Sequence, residues 1–259
     1  MWLGRSQVAV SIALVALGAD AKISIADVQR DLNTNWSNLP DAEGIEEKDG
    51  IFSFRISGSD IFLASMQAPI PWSDLEGPCA TSILWPDAAK QLREHKSHWM
   101  VTISADSPPV ERAKLLTQVT AAVIGTCPAA IGVYWGGAAL VIPRKIFLAF
   151  ATKILPQGPP IQIWVDFRVG RNPQGKSSGF TQGLAPLGFM ELETENSSES
   201  PAKLRERLSL IATYLLEKGP VIRDRDTIGE DKKERIRVVY SKSAFGHPKT
   251  VMRLDYEAI

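Results

Sequence analysis

His95 and His98 stand three positions apart, and Trp164, Asp166 and Arg168 alternate along one apolar run. These are the residues whose types and spacing could do chemistry. Paired imidazoles can hold a metal, but metal-binding pairs usually sit at i, i+4 on one helix face with a third ligand close by. The segment around His95 and His98 reads as the end of a helix followed by the start of a strand, so the two rings need not converge. His95 is then a last-turn residue placed favourably against the helix dipole. Residues 161–169 read as a strand, with Ile161, Ile163, Val165, Phe167 and Val169 on one face and Gln162, Trp164, Asp166 and Arg168 on the other. An indole, a carboxylate and a guanidinium in a row could bind a ligand or a group of a partner. Asp224 and Asp226 would add carboxylates if the fold brought them near. The preferred alternative is structural: an Asp–Arg pair on a solvated or helix-covered sheet face, with Trp164 packed beneath a neighbour.

The G-x-G-x-x-G dinucleotide fingerprint is missing. Gly136-Gly137 follows a strand but lacks the third glycine and the downstream acidic partner, and reads as a tight strand exit. Cys127 precedes Pro128 with no identifiable histidine partner, and Cys79 lies far from it without CxxC spacing. Both read as reduced thiols of a cytoplasmic protein, and neither a metal nor a cofactor is expected.

Charge argues in the same direction. Lysine plus arginine equals aspartate plus glutamate at 29 each, so no basic stripe is present to displace counterions from a nucleic acid. The densest basic stretch, 232–237, is interrupted by Glu234 and follows Glu230 and Asp231; it reads as a solvated face. No run approaches the eighteen apolar residues of a membrane span. The stretch 8–17 after Arg5, followed by Ala19-Asp20-Ala21, mimics a signal peptide. Its valines and isoleucine, leading into a helix start in a chain that begins at Met1, read instead as a buried first strand.

The elements that must position these groups announce themselves by caps and periodicity. Ser200-Pro201 opens a helix closed by Gly219-Pro220, with Leu204, Leu208, Ile211 and Leu215 on one stripe. Ser107-Pro108 opens another that stops near Gly125. Shorter helices are expected over 25–36, 86–96 and 143–154. Strands are expected at 52–56 and 61–66, joined by a turn at Gly58-Ser59, and at 99–103, 131–135, 236–240 and 251–256. Residues 41–49 read as an exposed acidic loop and 193–200 as an irregular serine-rich stretch. The first 104 residues therefore run β-α-β-β-α-β, a layered ferredoxin-like order, followed by a second α/β half. The expected fold is α+β with mixed or antiparallel sheets, one compact unit with a possible division into halves at about 1–105 and 106–259.

Certain phrases are too particular to be generic: Ala68-Pro69-Ile70-Pro71-Trp72, Trp85-Pro86, His95-Lys96-Ser97-His98, Ala130-Ile131-Gly132-Val133-Tyr134-Trp135-Gly136, Trp164-Val165-Asp166-Phe167-Arg168-Val169, and Gly219-Pro220-Val221-Ile222 leading to Asp226-Thr227-Ile228-Gly229. In this order the chain, from about 7 to 256, resembles the bacterial family catalogued as domain of unknown function 4261. It departs from that pattern at Arg225, where a glycine is more usual. The resemblance implies a fold and no chemistry. Proteins of this sort often occur beside polymorphic toxins and secretion-system effectors, as immunity or accessory proteins. The leading expectation is thus a non-catalytic protein that binds another protein, and neither nucleic acid nor membrane. The rival is a hydrolase-like enzyme of unrecognised type using Asp166, Asp224 or Asp226 with His98.

Overall fold

The computed structural model describes residues 8–229 and 235–256. The chain separates into two units between Ile163 and Trp164. A division near residue 105 would instead part the strand ending there from the helix that packs on it, both of which belong to the first unit.

In the first unit, strands β1 (Ala9–Leu17), β2 (Glu43–Lys48), β3 (Ile51–Ile56), β4 (Ser59–Met66), β5 (Ser97–Ala105), β6 (Ala130–Trp135) and β7 (Leu140–Pro143) form a seven-stranded sheet. The order is β2-β3-β4-β5-β1-β6-β7, and every neighbouring pair is antiparallel. The stretch that mimics a signal peptide is thus an interior strand, between β5 and β6, with Ala13, Val15, Ala16 and Leu17 buried. Helices α1 (Ile25–Asn35) and α4 (Pro109–Thr126) pack together, and α4 lies on β1 and β5. Beneath them run Val15, Ile61, Leu63, Val101 and Ile103, all fully buried. Helices α2 (Trp72–Thr81) and α3 (Ala88–Arg93) cover part of the opposite face through Leu75, Cys79, Trp85 and Leu92 against Ala16 and Val141. Helix α5 (Arg144–Ala149) continues into a π turn, Phe150–Ile154.

The β-α-β-β-α-β element order is present, but the pairing is not that of the split arrangement. In a split βαβ unit, the strands joined by a helix lie parallel with one strand between them. Here β4 and β5, joined through α2 and α3, are direct antiparallel neighbours. The acidic segment expected as a loop is the edge strand β2, every residue of which is exposed. A charged edge of this kind discourages pairing with another chain. The hairpin turn falls at Ser57-Gly58, both at positive φ, as a two-residue turn requires.

In the second unit, strands β8 (Asp166–Arg171), β9 (Ser177–Gln182), β10 (Leu192–Ser197), β11 (Thr227–Ile228), β12 (Ile236–Ser241) and β13 (Val251–Asp255) form a mixed sheet in the order β11-β12-β13-β10-β9-β8. Only β10 and β13 pair in parallel among these described strands. The long helix after β10 begins where expected: Ser200 Oγ accepts from Lys203 N at 3.3 Å, Pro201 occupies the first turn, and Gly219 closes it. This helix spans Pro201–Lys218, and its stripe Leu204, Leu208 and Leu215 is buried. A short helix, α6 (Ile161–Trp164), stands at the division between the units, which makes the long helix α7. The fold is α+β.

Residues 161–169 do not form one strand. Helix α6 occupies the first four positions and β8 starts at Asp166. Alternation inferred across the whole run therefore fails: Trp164, assigned to the polar face, has 0% exposure. Of the basic stretch, residues 232–234 lie outside the described residues, while Arg235 and Arg237 are exposed.

Candidate functional site

His98 and His95 both grip the segment that leads into α2. His98 Nδ1–H donates to Ala68 O at 2.8 Å. Ile70 N–H donates to His95 Nε2 at 2.7 Å, which fixes the proton of that ring on Nδ1, directed at Leu92 O. Both rings are buried. Burial lowers the His98 pKa; its bond to Ala68 opposes this and the nearby His95 adds to it. Two phrases that carry the resemblance, Ala68–Trp72 and His95–His98, are thus two sides of one junction. Another pair meets at Gly132, where a Cβ would fall 2.3 Å from the Trp85 ring. Only glycine permits that approach.

In the second unit, Arg168 Nε–H donates to Asp166 Oδ2 at 2.7 Å, and Asp166 is buried. The Arg205 guanidinium from α7 donates to Phe167 O, occupying a carbonyl of β8 at the sheet edge. Arg168 also lies 5.8 Å over the Phe180 ring, which stacks on Phe245. Asp224 Oδ1 accepts from Tyr240 N and Asp226 Oδ2 from Arg223 N, each at 2.8 Å. Both aspartates serve the turn beside β12. Four inter-strand steps separate β12 from β8, about 19 Å. The carboxylates are therefore not brought together, and His98 belongs to the other unit. Among the described residues, no three or more His, Cys, Asp or Glu side chains gather where they could hold a metal. No helix of the described residues is long and apolar enough to cross a membrane.

What the second unit does gather is a cleft of about 520 Å³ between α7 and the segment 221–229. Leu210 and Tyr214, one helical turn apart, form one wall, and Val221 and Ile228 the other. Leu210 is 56% exposed and Tyr214 and Val221 46% each, a concentration of large apolar surface left to solvent. Arg207 lines the floor, held by a double contact of Nε and Nη2 to Glu199 Oε1 at 2.8 and 2.5 Å. Tyr256 O–H donates to the other carboxylate oxygen at 2.8 Å. Burial alone would raise the Glu199 pKa, but these bonds and the charges of Arg207 and Lys203 outweigh it and hold the carboxyl below its ordinary value. The Tyr256 hydroxyl is pushed strongly upward, first by burial and then by Glu199. The cleft floor is thus a rigid, internally neutralised base beneath an apolar rim.

Residues 180–255 match the family model described as Domain of unknown function (DUF4261). The DUF4261 match runs from β9 to β13 and contains α7 and every residue lining the cleft. Of the phrases that carry the resemblance, the one at 219–229 falls inside it. No curated protein and no solved structure matches the chain.

Leu210, Tyr214 and Val221 were not singled out by the residue chemistry, because they carry no catalytic group. A signal was present: Leu210 and Tyr214 stand at i, i+4 off the Leu204–Leu208–Ile211–Leu215 stripe, on the side of α7 that should be polar.

Proposed function

We propose that this is a non-catalytic binding protein that captures another protein through the α7 cleft, in the manner of an immunity or accessory factor for a bacterial toxin or secretion-system effector. One observation carries the reading: the exposed apolar walls Leu210, Tyr214 and Val221 converge within the segment that matches the family. An aromatic and aliphatic patch with a polar surround is the anatomy of a protein interface. The carboxylates and imidazole that a hydrolase would need support the same reading, since each is committed to an internal hydrogen bond.

The test is co-purification with the products of neighbouring genes, comparing the wild-type chain with a Leu210→Glu, Tyr214→Ala double variant. Both positions are exposed, so the variant should fold normally. One product should co-elute with wild type at a fixed ratio, and the variant should weaken that capture about thirtyfold or more. Equal capture by both proteins would remove the cleft from consideration.

A further inference from the structure

Two of the chain's three histidines hold one segment, residues 68–71, and they hold it in ways that differ in their response to a proton. His95 is the sensitive one. Its Nε2 lone pair accepts the Ile70 N–H, so a proton arriving from solvent at Nε2 must break that bond and set two N–H groups facing each other. Its Nδ1–H is already directed at Leu92 O. The resulting imidazolium would be a buried cation, 5% exposed, and among the described residues neither histidine has a carboxylate within salt-bridge distance. The charged and titratable groups on the elements packed here are His98 on β5, Lys90 and Arg93 on α3 with Glu94 at its C-cap, Asp74, Glu76 and Cys79 on α2, and Lys96 next in sequence; the nearby His98 would repel a second positive charge.

We propose that His95 is an acid-operated latch on the entry to α2: a proton at Nε2 releases Ile70 and lets α2 lift from the sheet, while His98 keeps its bond to Ala68 O. The segment enters α2 directly through Pro71, so releasing Ile70 unseats the first turn of the helix. Ile70, Leu75 and Cys79 share one buried cluster with Trp85, Ala88 and Leu92, and they come out of it together. The residues that make this junction all belong to the first unit, and the opening is expected to be confined to it.

Cys79 is a built-in reporter, because it lies on the buried face of α2 and is one of only two thiols. In the full chain carrying Cys127→Ser, labelling by 4,4′-dithiodipyridine should accelerate about tenfold or more between about pH 7.5 and about pH 5, after correction for free cysteine. His95→Gln preserves an acceptor for Ile70 N–H but cannot take a proton, and should flatten the response. His98→Gln, which removes a group whose bond to Ala68 O survives protonation, should leave the response in place. If a variant fails to fold, amide exchange of wild type decides: with acid, residues 70–81 should lose protection while residues 201–218 keep theirs. A flat labelling profile in wild type overturns the latch. So does a rise that persists undiminished in His95→Gln, or one that coincides with loss of protection at 201–218.

Discussion

Arg225 has a left-handed backbone, φ +70°, in the turn between Asp224 and Asp226. This is the position where the resembled family more usually has glycine. An L side chain there costs about 1–2 kcal/mol, whereas glycine costs about 0.5–1 kcal/mol in unfolded-state entropy. The arginine side chain offers little in return: it is largely exposed and 3.7 Å from Asp224, an arrangement of small worth. Its backbone N–H donates to Val238 O at 2.8 Å whichever residue stands there. Arg225→Gly should therefore be neutral or stabilising by up to about 1 kcal/mol in chemical denaturation, and Arg225→Val clearly destabilising. A glycine variant that loses more than about 1 kcal/mol would show that the arginine side chain holds the turn. The same turn forms the wall of the cleft opposite α7, so its geometry bears directly on binding.

Helix α7 links the core of the second unit to its exposed cleft. Leu208 has no exposure and lies in the stripe that packs over β8, β9 and β10. Leu208→Ala should cost about 2–5 kcal/mol, measured by the shift of the denaturation midpoint. A cost under about 0.5 kcal/mol would place the stripe on a solvated face. Elements of this kind were legible because cap, stripe and stop agree; β3, β4, β5, β6, β12 and β13 were legible through their alternation. Others were hidden for identifiable reasons. Pro78 inside α2 broke its helical pattern, though the helix accommodates it. β10 reads Leu-Glu-Thr-Glu-Asn-Ser, as polar as a loop, yet it lies inside the sheet. Its Glu193 is buried because Ser243 Oγ and Ala244 N–H donate to the carboxylate, a contact fifty residues away that no local pattern could signal. The passage from α6 to β8 placed Trp164 and Asp166 in different elements, which turned an apparent alternation into coincidence. The Asp166–Arg168 pair survived the error because both residues lie on β8. The cleft was legible only as two apolar positions on the wrong side of α7, since its second wall comes from a segment that folds against it from a distance.

Across the whole molecule, chain order and sheet order disagree most at β1. This strand lies between β5 and β6, whose residues are 97–105 and 130–135. The hairpin β3–β4 and its neighbour β5 can zip through contacts close in sequence, whereas β1 must wait for both flanks. Val15, fully buried between them, reports on this. Val15→Ala should cost about 2 kcal/mol, and nearly all of it should fall on the unfolding rate, giving a φ-value below about 0.3. A φ-value near 1 would mean that β1 nucleates the sheet. During synthesis the consequence is sharper. β1 leaves the ribosome well before either flank exists, and at about 5–20 residues per second it waits for several seconds. Through that interval a strand destined for the interior of the sheet is an apolar ribbon with two open edges. Nascent chains released before β6 is complete still have one edge open, so premature termination there yields a species prone to self-association rather than a harmless fragment.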